Sequence, residues 1–135
     1  MANGGNRVRD IMARHPASIR VGTDLTEVVE VLLRQHMTGL PVVDEADRVV
    51  GFVSEQDCLR SLLVSSYHGE GSPRVEDVMF REPLTVKLDD AVVDVAEMMV
   101  KQKPKIYPVV DQSGRLQGLL MRSQVLTCLV DNRRH

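Results

Sequence analysis

Apolar and polar positions follow two periods along this chain, and the same succession of periods occurs twice. After Pro16 the segment ASIRV alternates as a strand with one covered face does. Leu25, Val28, Val29, Leu32 and Leu33 then recur at helical spacing. An apolar run ending in PVVD, a polar turn (EADR), a second apolar run (VVGFV) and a stretch carrying Leu59, Leu62 and Leu63 complete the series. The predicted order is strand, helix, strand, strand, helix. Asp24, with Glu27 three positions on, suits a capping box at the first long helix, and Thr23 is an alternative cap.

The series begins again after Pro83. LTVKL takes the place of ASIRV, and Val92, Val95, Ala96, Met99 and Val100 repeat the helical spacing. A second PVVD precedes the turn QSGR, the run LQGLL, and Leu126 with Leu129. A shift of 67 residues superimposes the two series, laying VRDIM on VEDVM and PVVD on PVVD. Without a gap, 15 of the 53 pairs from residues 8–60 against 75–127 are identical. Unrelated sequences of ordinary composition would match at about a third of that or less. The repeat therefore organises the chain, with copies at 8–64 and 75–130 and the Gly-, Ser- and Pro-rich stretch 65–74 as a linker.

The helical faces are wider than one copy needs. Val31 and Met98 broaden the first helix of each copy, and Val125, Leu126, Cys128, Leu129 and Val130 surround much of the last. Such surplus apolar surface is expected to be covered by the other copy or by a second chain.

Composition narrows the function. Hydrophobic residues make up 43% of the 135 and charged residues 27%, as in an ordinary globular chain. The aromatics are Phe52, Tyr67, Phe80 and Tyr107, too few for a base-stacking platform, and the net charge of -2 offers no field for a polyanion. DNA and RNA are therefore not expected as partners. No stretch approaches the ~18 apolar residues of a membrane span, and the opening residues have no apolar leader core. Cys58 and Cys128 make neither a disulfide framework nor a four-thiolate metal site, and they suit the reducing cytoplasm as buried small hydrophobes. His15, His36, His68 and His135 are scattered, and no metal is expected to be required. His68 is expected in a solvated loop. No general-base histidine beside a nucleophile and no phosphate loop appears, so an enzyme is not expected. A reactive Cys58 next to Asp57 is the sole catalytic alternative.

One stretch carries candidate chemistry. GFVSEQDC, from Gly51 to Cys58, corresponds in the second copy to GLLMRSQV, where Met121 replaces Ser54 and Gln124 replaces Asp57. Ser54 and Asp57, three apart and just before an apolar helical run, suit a capping box. They also suit a ligand site at a helix N-terminus that follows a strand. There free N–H groups and the helix dipole favour phosphates, an Asp accepts hydrogen bonds from a vicinal diol such as that of ribose, and a Ser donates to a phosphate or sugar oxygen. Met121 and Gln124 would serve the second purpose poorly.

These residues together resemble a family. VRDIM and VEDVM open each copy, MTGLPVVD and KIYPVVD precede the turns, and GFVSEQD fits the pattern Gly, two apolar, Ser or Thr, two variable, Asp. The chain is similar over residues 8–130 to a pair of cystathionine-beta-synthase-type (CBS) domains, or Bateman module. The resemblance implies an α/β fold of two tandem beta-alpha-beta-beta-alpha repeats, related by a pseudo-two-fold, with sheets packed face to face and two clefts between repeats. It implies an adenosine-containing ligand: AMP, ADP, ATP or S-adenosylmethionine. By position, Asp57 would hold the ribose diol and Ser54 a phosphate or sugar oxygen. Ser18 and Gly39, Leu40 and Pro41 would border the adenine, with Leu40 and Val53 in apolar contact. Lys105 falls where some family members hold the phosphate, although Lys103 and Lys105 around Pro104 also suit a solvated helix end. Thr85, Ile106, Tyr107 and Pro108 would line a second, degenerate cleft. The resemblance further implies a homodimer, whose bound state is read by an effector protein. The competing expectation is a structural module that binds no nucleotide and acts through dimerisation and protein contacts.

Overall fold

The structure is a computed structural model that describes residues 6–68 and 72–134. In chain order the elements are α1 (Val8–Ile11), β1 (Ala13–Arg14), β2 (Ile19–Arg20), α2 (Leu25–Gln35), β3 (Gly39–Val43), β4 (Val49–Ser54) and α3 (Glu55–His68). There follow α4 (Val75–Val78), β5 (Val86–Lys87), α5 (Val92–Lys101), β6 (Ile106–Val110), β7 (Leu116–Met121) and α6 (Arg122–Arg133). The expected succession is present twice, each time preceded by a four-residue helix that periodicity did not predict.

The chain forms two compact units whose limits differ from those of the sequence copies. One is continuous, Ala17–Pro83; the other is split, Met1–Pro16 with Leu84–His135. Each unit thus contains the opening segment of the other copy. In the continuous unit the sheet runs β2-β3-β4, with β2 parallel and β4 antiparallel to β3. Phe80, just past α4, adds a bridge to Phe52 through paired backbone hydrogen bonds of 2.8 and 2.9 Å. In the split unit the order is β1-β7-β6-β5, so β1 takes the edge position that Phe80 takes in the other.

Glycine makes these edges possible. A Cβ on Gly118 would lie 2.6 Å from the Met12 sulfur and 2.7 Å from the Ala13 carbonyl oxygen. A Cβ on Gly51 would collide with the Met79 sulfur and lie 3.0 Å from the Phe80 carbonyl oxygen. Gly51 and Gly118, and Met12 and Met79, are each identical at the repeat shift because every unit needs one of each.

The long helices form where the pattern placed them. Leu25, Val28 and Leu32 are buried along α2, and Val92, Val95 and Met99 along α5. Asp24 is the cap of α2, its carboxylate accepting from the Thr26 N–H at 3.0 Å. Thr23 instead donates its hydroxyl to the Arg20 carbonyl. The helix stops at His36, in the left-handed conformation, whose N–H bonds the Leu32 and Leu33 carbonyls. Helix α3 continues to His68, into the stretch read as a linker, placing that histidine in a helix rather than a loop. Residues 69–71 lie outside the described part.

Aspartates close both β-hairpins. Asp44 accepts from the Ala46 and Arg48 N–H groups, and Asp111 from those of Ser113 and Arg115. The Arg115 backbone N–H, helped by that of Ser113, holds the Asp111 carboxyl below its ordinary value, and the Thr26 N–H with the Ser72 hydroxyl does the same for Asp24. A carboxylate whose folded pKa is depressed adds stability above its ordinary value of 3.8, and this is lost as pH falls through the lower folded value. Thermal midpoints measured from pH 6 down to pH 2 should therefore fall below about pH 4. Asp24→Asn with Asp111→Asn, which keeps both oxygen acceptors, should shallow that fall; an unchanged acid limb would refute the assignment.

Candidate functional site

The sheet of the continuous unit gathers most of the predicted ligand residues. Its register sets Gly39 opposite Ser54, Leu40 opposite Val53 and Pro41 opposite Phe52. Ile19 pairs with Val42 in parallel, so Ser18, one residue earlier, stands at the level of Pro41. The Glu55 N–H donates to the Thr38 carbonyl at 2.8 Å, fastening the start of α3 to the start of β3. Ser18, the Gly39–Pro41 segment, Ser54 and Asp57 therefore share one end of one sheet.

Within that group Ser54 and Asp57 bind each other. The Asp57 Oδ2 accepts from the Ser54 N–H at 3.1 Å and from the Ser54 hydroxyl at 2.9 Å, and Ser54 Oγ accepts from the Asp57 N–H at 3.1 Å. This is a complete capping box. It spends the one proton of Ser54, so the expected donation from Ser54 to a phosphate is incompatible with the box as it stands. Asp57 retains capacity: a carboxylate offers about four acceptor sites, and among the described residues Oδ1 meets only the Arg60 Nη1, at 3.5 Å. Two bonds to Oδ2 fix the carboxylate, leaving lone pairs on Oδ1 open to a donor. Arg60 was missed at the sequence level, although its i+3 spacing from Asp57 was the available signal.

The residues expected in apolar contact are enclosed. Leu40 and Val53 are each 0% exposed and belong to the core, and Gly39 and Pro41 are buried as well. Strand alternation explains this, because Leu40 and Val53 pair across the strands and point to one covered face. A ligand approaching this end meets the half-buried Ser18, Ser54 and Asp57 first. Phe52, also missed, supplies an aromatic ring: a Cβ on Gly39 would lie 2.5 Å from its Cε1. A side chain at 39 would require that ring to shift.

The equivalent end of the split unit keeps the framework and changes the chemistry. Gln124 Oε1 accepts from the Met121 N–H at 2.8 Å, reproducing the backbone half of the box without charge or hydroxyl. Thr85 is exposed, Ile106 half-buried and Pro108 buried. Lys105 and Lys103 are exposed, and the Lys105 carbonyl accepts from the Arg122 N–H at 3.1 Å. Tyr107, expected against adenine, is instead 0% exposed in the core with Val109, Leu120 and Val125. Its hydroxyl has no hydrogen-bond partner among the described residues, and burial pushes its pKa up. An unpaired buried hydroxyl costs about 1–3 kcal/mol. Tyr107→Phe should accordingly raise the denaturation midpoint; a loss of more than about 1 kcal/mol would show that the hydroxyl is satisfied.

Cys58 is 3% exposed, and burial, followed by the charges of Asp57 and Glu55, pushes its thiol pKa up, opposite to what a nucleophile needs. Among the described residues no group of three or more His, Cys, Asp or Glu is placed to hold a metal ion, and no helix is long and apolar enough to cross a membrane.

Two sheet-and-helix units built from one repeated pattern define a mixed α/β repeat protein. Residues 8–64 and 75–131 each match the CBS domain, and the chain belongs to the CBS domain family. It is similar to CBSX2, whose crystal structure in complex with AMP aligns at a TM-score of 0.82 with 30% identity, covering 96% of this chain and 100% of that one. The CBSX2 of Arabidopsis thaliana, described as chloroplastic, is 27% identical over an alignment of 162 residues, covering 98% of this chain and 67% of that protein. The CBS domain pair of protein MJ0100 in complex with 5'-methylthioadenosine and S-adenosyl-L-methionine aligns at a TM-score of 0.79 with 25% identity, covering 93% and 97%. A homoserine O-acetyltransferase of Methanococcoides burtonii is 30% identical over 113 residues, which are 84% of this chain but 22% of the enzyme.

Proposed function

We propose that this chain is a regulatory module that binds an adenosine-containing ligand, AMP, ADP, ATP or S-adenosylmethionine, and passes the bound state to a partner protein without catalysing a reaction. The observation that carries the reading is the Asp57 carboxylate, held on one oxygen by Ser54 and met on the other, among the described residues, only by Arg60, at the sheet end where Ser18 and Ser54 are also accessible. Asp57 accepts from the ribose hydroxyls, Ser54 orients Asp57, and Ser18 lies on the base side. Relatives solved with AMP and with S-adenosyl-L-methionine support the ligand class. Two chains associate through their apolar helix faces, in the cytoplasm.

Small molecules released on denaturing the freshly purified protein, identified by mass spectrometry and followed by calorimetric titration with the four candidates, test the reading. No release and no binding at millimolar concentration would overturn it. A second reading, a dimerising scaffold that takes no nucleotide, is favoured by the mutual bonding of Ser54 and Asp57 and by the 0% exposure of Leu40 and Val53. It requires the same oligomer and the same captured partner with and without nucleotide.

A further inference from the structure

The first two turns of α3 carry three charges, Glu55, Asp57 and Arg60, beside the sheet end where Ser18 and Ser54 lie. Two carboxylates in the first turn outweigh the positive end of the helix dipole, which is worth about half a charge. Without Arg60 this end would repel a phosphate and attract a cation. Arg60 is the charge on α3 that offsets the carboxylates.

Arg60 is held loosely. Its Nη1 lies 3.5 Å from Asp57 Oδ1, at the outer limit of a hydrogen bond, and its side chain is 68% exposed. An exposed pair of this kind adds little to stability. The helix does not need it either. In α6 the corresponding positions are Gln124 and Thr127, where Gln124 accepts from the Met121 N–H and the Thr127 hydroxyl donates to the Ser123 carbonyl of its own helix. Carboxylate and guanidinium are thus present together in one copy and absent together in the other, although both helices form. A charge pair that the fold does without, at the ligand end of the sheet, is available to a ligand.

Arg60 and a ribose hydroxyl compete for Oδ1. A diol that donates to this oxygen displaces the guanidinium, which keeps its planar fork of N–H donors one helical turn from the sugar. A 5'-phosphate offers acceptors that such a fork meets in pairs. S-adenosylmethionine carries a positive sulfonium at the same position, and adenosine a neutral hydroxyl, so neither draws the displaced arginine.

We infer that Arg60 makes this site selective for adenosine compounds with a 5'-phosphate, leaving Asp57 as the ribose arrives and pairing with the phosphate. This rests on the ribose role of Asp57 proposed above and narrows the ligand class.

Calorimetric titration at low salt with AMP, S-adenosylmethionine and adenosine, applied to the starting protein and to Arg60→Gln and Arg60→Glu, tests it. The starting protein should bind AMP at least about ten-fold more tightly than the other two. Arg60→Gln should weaken AMP about ten-fold while holding adenosine within about three-fold, and Arg60→Glu should weaken AMP further and tighten S-adenosylmethionine. Circular dichroism checks that both variants, altered at an exposed position, are folded. A starting protein that prefers adenosine or S-adenosylmethionine, or an Arg60→Gln variant whose ratio of AMP to adenosine affinity is unchanged, overturns the role of Arg60 while leaving the ribose site standing. Absence of binding by all three at millimolar concentration overturns both.

Discussion

Removing residues 1–14 is expected to destabilise the split unit, although these residues open the first sequence copy. The deletion takes away Val8, which is 0% exposed in the core with Tyr107, Leu120 and Val125. It also removes β1 from the edge of β7 and the Met12 side chain from above Gly118. Burial of one valine contributes about 1.5–3 kcal/mol, so with Ile11 and Met12 the loss should be at least about 3 kcal/mol. Hydrogen exchange measured by mass spectrometry should show lost protection in β6 and β7. Equal protection in these strands before and after deletion would mean that the segment is an appendage. Gly118→Ala, which pushes a Cβ against the Ala13 carbonyl, should act on the same strands at about 1–3 kcal/mol, the range of an overpacked core.

Asp57→Ala should weaken whichever adenosine ligand binds by roughly 10- to 100-fold, since a hydrogen bond to a charged group contributes about 1.5–3 kcal/mol. The substitution also opens a capping box, at about 1 kcal/mol of stability. Gln124→Ala in α6 separates the two effects. It removes the corresponding cap acceptor on the Met121 N–H, and it should lower stability comparably while leaving that ligand's affinity unchanged. Calorimetric titration of both variants decides the matter. Equal losses of affinity would assign Asp57 to helix stability alone.

Local features were legible in the sequence because they are decided by neighbours. Leu25, Val28 and Leu32 announce α2, Asp24 caps it as expected, and PVVD followed by a polar turn marks each hairpin. The extent of α3 was misjudged because SSYH is polar. Polarity alone does not end a helix, and the first strong breaker in the sequence is Gly69. The exchange of opening segments was not legible, since VRDIM and VEDVM are so alike that either would suit either sheet; only the folded chain shows which receives which. Nor was the enclosure of Leu40, Val53 and Tyr107, because alternation assigns a side chain to a face without saying what covers that face. Ser54 and Asp57 admitted two readings in the sequence, a capping box and a ligand site, and the geometry gives the box.

The crossed ownership of VRDIM and VEDVM bears on how such a chain folds. A half-length polypeptide, residues 75–134 alone, carries an opening segment whose Phe80 bridges to the sheet of the other half. Two such polypeptides trading their openings would each close the other's edge, so folding should be second order in concentration. Carrying both openings on one chain makes that encounter intramolecular, so folding of the full chain should be first order in concentration.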